Sequence, residues 1–215
     1  MDSLLLLLLD TRSPSGGHNH SMGMESAISA GLVRDHDDVA RFCRGRLHTS
    51  GRVAAGFAAA SCDLTAGCDL AASGASDWSR LDAEFDARTP SPALRAASRQ
   101  LGSGLARMAR AMLPGFGIAA QHHPIVLGAA VAAAGGDRGL AARAAALSTV
   151  SVPASAALRL LGLDPFAVQA MLAELAREID RLPVPDAGEL PADAAPALDL
   201  LADHHLTMEV RLFAS

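Results

Sequence analysis

At 215 residues, half of them hydrophobic and 19% charged, the chain lies outside the disordered class and can bury one sizeable core. Its net charge of -5, with every basic residue an arginine, argues against nucleic-acid binding, which rests mainly on neutralising phosphate charge. Aromatic residues make up only 3%, and alanine and glycine carry much of the apolar count, which suits helices that approach closely. The first element is the apolar run Leu4 to Leu9, with Asp2 where a signal peptide would carry a positive charge. The run is too short to span a bilayer, which needs about 20 apolar residues. It predicts a buried first helix.

Ser13 to Gly17 is a turn by composition, and helix signals resume near Asn19 or Ser21 and run to about Leu32. Asp35 is a good N-cap for the next helix, which carries Val39, Phe42, Cys43 and Leu47 at helical spacing. The glycines at 45, 51 and 56 either weaken this stretch or mark close approach of another helix. Asp77 can cap a short helix with Trp78, Leu81 and Phe85. Ser91 as N-cap with Pro92 at the first helical position starts the clearest helix, which ends near Met112. His122-His123-Pro124 opens an Ala-rich helix. Asp137 caps another, broken by Pro153 and followed by a helix over Ala154 to Leu161. Asp164-Pro165 starts a helix that runs to about Arg181. Pro183 to Pro196 reads as a linker, and a last helix covers roughly Ala197 to His204.

The pattern is all-α, a single compact multi-helix domain over residues 1–205 with an extended C-terminal tail over 206–215. In the tail, Thr207 to Phe213 alternates polar and apolar residues with a period of about two. Such a segment either docks on its own domain or orders on a partner.

No catalytic set stands out: there is no phosphate-cradling loop with a lysine, no HExxH and no nucleophile elbow. His18 and His20 could face one side of an extended loop, and imidazole suits nickel and zinc, but two histidines without a third ligand do not make a site. The pairs His122-His123 and His204-His205 point about 100° apart on a helix, so capping or surface roles are expected. Cys43, Cys62 and Cys68 show no ligand spacing and read as buried thiols in a reducing compartment. Neither a cofactor nor a bound metal is expected. Glu25, Arg95, Gln100, Arg159 and Arg211 are polar residues in apolar surroundings, either paired in the interior or exposed.

Several segments resemble the UreF family in that family's order. "LLLLLDTRSPSGGHNHSMGME" (residues 5–25) resembles its Leu-rich opening, Pro-x-Gly-Gly turn and Ser-x-Gly-Leu-Glu element. "SRQLG" (98–102) resembles its middle helix, and "HHPIVLGAAVAAAG" (122–135) its His-x-Pro helix. "SVPASAALRLLGLDP" (151–165) is similar to its Arg-Leu segment, and "HHLTMEVRLFAS" (204–215) to its His-rich turn and Arg-Leu-Phe ending. The chain departs from the pattern at His18 and His20, where aromatic residues are common, at Met24, where leucine is usual, and after Leu161, where many members carry Gly-Gln.

The resemblance implies an all-helical, cytoplasmic, non-catalytic urease accessory protein that forms a homodimer and works in nickel insertion. Its implied partners are the accessory protein UreD/UreH, bound largely through the C-terminal part, the GTPase UreG and apo-urease, with neither nucleic acid nor membrane. On this reading Arg211, Leu212 and Phe213 dock UreD/UreH, and Glu25, Arg95, Gln100 and Arg159 serve the dimer or GTPase-facing surface. Two other readings compete. A helical ligand-binding or regulatory module would need a basic recognition helix, and a helical-bundle metal enzyme would show Glu-x-x-His, which the sequence lacks.

Overall fold

Asp35, Ser91, Asp137 and Asp164 stand at helix N-caps, and each accepts a backbone N–H two or three residues ahead, so the local start signals act as the sequence predicts. The structure is a computed structural model describing residues 3–10, 17–67, 75–185, 189–209 and 211–213, with the side chains of His18, Ala75 and Ser76 excepted. The turn at residues 13–16, Cys68 and Val210 lie outside the described residues.

Among the described residues the architecture is all-α without a strand. The helices are α1 (Ser3–Leu8), α2 (Met24–Ser29), α3 (His36–Arg46), α4 (Arg52–Ala66), α5 (Ala75–Ala87), α6 (Pro92–Met112), α7 (His123–Ala133), α8 (Arg138–Leu161), α9 (Pro165–Ile179) and α10 (Pro196–His205). A π-helical turn, Leu47–Gly51, joins α3 to α4, and a 3-10 turn covers Gly17–Asn19.

Helices α4, α7 and α8 form the centre. From Pro124 to Val131, α7 is buried on every side, which explains its apolar run. Side chains this small bring backbones together. A Cβ on Gly128 would lie 2.1 Å from the Ala58 carbonyl oxygen of α4, and one on Gly102 of α6 would lie 1.9 Å from that of Gln121. Around this centre α4 and α8 each serve two apolar clusters. Phe57, Ala58 and Ala145 face Trp78, Phe85, Leu105 and α7. Ala55, Ala59, Ala146 and Val150 face α2, α3 and α9.

Four sequence expectations need correction. The Leu run is buried on one face only: Leu5 and Leu8 point inward, whereas Leu6 and Leu7 are 54% and 57% exposed. Between Asn19 and Leu32 the helix is confined to Met24–Ser29, because positive φ at Met22 and Gly23 sets its start. Helix α5 begins at Ala75, ahead of Asp77, which sits in its first turn. Pro153 does not break α8. Proline lacks the N–H that the Thr149 carbonyl would accept four residues back, and the Arg46 Nε–H from α3 takes that carbonyl instead at 3.2 Å. Among the described residues only α8 is long and apolar enough to cross a membrane. It packs against α2, α3, α4, α7 and α9 within the bundle.

Candidate functional site

One polar arrangement lies where the tail returns to the body. Gly23, with φ 87°, turns the chain into α2 and leaves room for α10, whose Leu201 Cβ would lie 3.9 Å from a Cβ there. Glu25 follows in the first turn of α2, where a carboxylate meets the positive helix end. It is 6% exposed. Its Oε2 accepts His205 Nε2–H at 2.7 Å and the Phe213 backbone N–H at 3.2 Å, and its Oε1 accepts the Leu212 N–H at 2.7 Å. One buried carboxylate thus joins α2, the end of α10 and the tail.

His205 occupies the last turn of α10 and is buried, which corrects the expectation of a capping or surface role. Helix α10 is itself tied to the start of α6, where Ser91 Oγ donates to Asp203 at 2.5 Å and the Ser91 N–H to Asp199 at 3.3 Å. Beyond α10, the Ser26 hydroxyl meets Met208 Sδ at 3.6 Å. Phe213 closes the arrangement: its ring is buried, with the Arg159 guanidinium 4.3 Å from its centroid. A cation over an aromatic face is attractive by roughly 0.5–1 kcal/mol at an exposed site. Leu212 points the other way and is 74% exposed, and Arg211 is exposed beside it. The tail is therefore a strap with an inward anchor and an outward face.

Of the residues singled out from the sequence, Glu25, Arg159, Arg211, Leu212 and Phe213 meet at this strap. Arg95 and Gln100 do not. Arg95 donates to the Thr89 and Pro90 carbonyls, both at 2.8 Å, and so fastens the end of α5 to α6. Gln100 is exposed further along α6. His205 and Ser26 are the site residues that sequence reasoning missed. A histidine in a last helical turn is the only local signal, and it does not name a partner at the other end of the chain.

A second polar cluster fixes the start of α7. The Asp82 carboxylate accepts the backbone N–H groups of Gln121 and His122. His122 Nε2–H donates to Asp86 at 3.0 Å, and Asp86 also meets Arg99 at 2.5 Å. His122 is at the N-cap position, but its ring is fully buried and makes no cap bond, again correcting the expected role. Burial holds the His122 pKa below its ordinary value, and burial with nearby His20 pushes His123 down to about 4. Burial thus favours the neutral form of both rings in the fold, whereas an unfolded histidine titrates near 6.5. Protons bind the unfolded chain more readily between these values, so stability is full above about pH 6.5 and falls as pH drops toward 4. His123 alone should account for on the order of 2 kcal/mol, allowing for partial solvent screening. Urea midpoints measured from pH 7 to 4 should decline, and less steeply in His123→Gln. Parallel slopes would show that His123 does not carry the effect.

Among the described residues no group of three His, Cys, Asp or Glu side chains is placed to hold a metal ion. Cys43 and Cys62 are buried, and burial pushes their thiols up to about 12 and about 11, far from the reactive thiolate range.

The UreF family model matches residues 33–176, more than half of the chain. The chain belongs to the UreF family. The urease accessory protein UreF of Mycolicibacterium vanbaalenii is 44% identical over 218 residues, spanning 98% of this chain and 97% of that protein. The urease accessory protein UreF of Mycobacterium sp. (strain JLS) is 43% identical over 98% of this chain and 97% of its own length. That of Mycobacterium tuberculosis is 37% identical over 99% and 98%. This UreF-family chain thus stands among accessory proteins and not among enzymes. In UreF terms, the matched core begins at Val33 and ends in α9, and the strap lies beyond it.

Proposed function

We propose that this chain is a cytoplasmic scaffold for nickel insertion into urease, docking UreD/UreH through its C-terminal strap and recruiting the GTPase UreG to apo-urease. The observation that carries the reading is the strap itself. Phe213 is buried while Arg211 and Leu212 face outward, so the tail offers a charged and an apolar contact from a fixed position. Leu206, just past α10, is also 54% exposed. On this reading Arg211, Leu212 and the anchor Phe213 dock UreD/UreH. Glu25 and Arg159 act by holding the strap, and Arg95 and Gln100 belong to the dimer or GTPase-facing surface. Nickel is cargo in this scheme, and the chain contributes contacts rather than chemistry.

The test is co-purification of the tagged chain with UreD/UreH and UreG, with and without residues 206–215. The full chain should bring down both partners. The shortened chain should lose UreD/UreH yet keep its helical circular dichroism, because among the described residues most of the buried core precedes residue 206. A shortened chain that still retains UreD/UreH would place the docking surface elsewhere.

A further inference from the structure

Arg46 is a buried cation whose structural bonds leave part of its guanidinium over. It is the last residue of α3 and is 2% exposed. Its Nε–H serves the Thr149 carbonyl left free by Pro153, and Nη1 donates to the Met22 carbonyl at 2.9 Å. Nη2 has no partner among the described residues, and no described carboxylate lies within ion-pair distance of the guanidinium. A buried charge without a contacting counter-ion is costly. Burial has already lowered its pKa to about 10.

The guanidinium stands in the wall of a cavity of about 510 Å³. That volume is within the range of small-molecule sites, roughly 300–1,000 Å³, which are mostly apolar with a few polar groups. The wall fits this pattern: Val152, Leu158, Leu172 and Leu198 supply aliphatic surface from α8, α9 and α10. Among the other charged groups in the wall, Asp193 pairs with Arg52, Asp10 is itself engaged, and Arg88 pairs through Nη1 with Glu84 while its buried Nε makes no hydrogen bond. Asp199 shares the cavity but lies outside bonding distance of Arg46. It accepts the Ser91 N–H, and burial disfavours its charged form. The π-helical turn begins at the residue after Arg46, and Gly51 within it lets α8 come close, since a Cβ there would meet the Thr149 hydroxyl at 3.0 Å. Such turns recur at functional sites because the extra residue re-aims the side chains around it.

We propose that this cavity binds a small aliphatic carboxylate, its head on Arg46 Nη2 and its hydrocarbon body against α8, α9 and α10. Such binding is independent of the partner-docking reading, since neither the strap nor any partner takes part. Titration calorimetry on the full chain with sodium octanoate, sodium acetate and 1-octanol, at fixed ionic strength, tests it. Octanoate should bind once per chain, more tightly than either probe that lacks its head or its body. Arg46→Gln should weaken octanoate by about ten- to hundredfold, as expected for loss of a charged hydrogen bond, and leave octanol unchanged. Asp199→Asn removes the acid facing the same space and should tighten octanoate by about threefold or more. Should Arg46→Gln not fold, Asp199→Asn and the octanoate–octanol difference still decide. Absence of octanoate binding, equal binding of octanoate and octanol, or an Asp199→Asn affinity equal to wild type would each overturn the proposal.

Discussion

Gly128→Ala should be among the most damaging single-methyl changes in this chain, lowering stability by on the order of 3 kcal/mol. The new Cβ would sit 2.1 Å from the Ala58 carbonyl oxygen and 2.9 Å from the Ala58 Cα. Both are backbone atoms of α4, so no side chain can swing aside, and α4 and α7 must separate along a face at the centre of the first apolar cluster. The intrinsic helix preference of alanine over glycine, about 1 kcal/mol, works in the opposite direction and is outweighed. Gly45→Ala is the control. Nothing lies within 4 Å of that Cβ position in α3, so the propensity gain should appear alone as a small stabilisation. Chemical denaturation of the two variants checks the pair. Equal, small effects would mean that the α4 and α7 backbones are not in contact.

Glu25→Ala should cost about 3 kcal/mol and release the strap. The substitution leaves the buried His205 Nε2–H and the Leu212 and Phe213 N–H groups without their acceptor in one step. Buried donors left unpaired lose their full solvation, which is why removing one shared acceptor exceeds the worth of any single bond to it. Glu25→Gln keeps the shape and one acceptor oxygen and should fall between wild type and alanine. Hydrogen exchange reads this directly: the Leu212 and Phe213 amides, protected in the parent chain, should exchange at near-random rates in Glu25→Ala, while amides of α7 stay slow. If these two amides are equally slow in the variant, something other than Glu25 holds the strap. If the strap docks UreD/UreH as proposed, capture of that partner should weaken in parallel, because a loose strap must be ordered at the moment of docking.

What the sequence determined by itself is what acts over short distances. The caps at Asp35, Ser91, Asp137 and Asp164 were legible because donor and acceptor lie within a single turn. The apolar run through α7 announced burial. The family was legible too, through short segments kept in order along the chain. The alternation in the tail would set Met208, Val210 and Leu212 on one covered face, whereas Leu212 is 74% exposed and Phe213 is the buried residue, so which side of the tail meets the body was not legible. Only the tertiary structure decided the rest, because each remaining outcome depends on a group brought from far along the chain. Pro153 reads as a helix break until Arg46 supplies the missing donor to Thr149. Gly128 reads as a weak point in a helix until the carbonyl of Ala58 arrives against it. Glu25 and His205 read as unrelated polar residues at the two ends of the chain until the packing of α10 on α2 buries them together. Local rules state what a residue can donate, accept or cover. Which partner it meets is set by the packing of the whole bundle, where burial turns an optional contact into a required one.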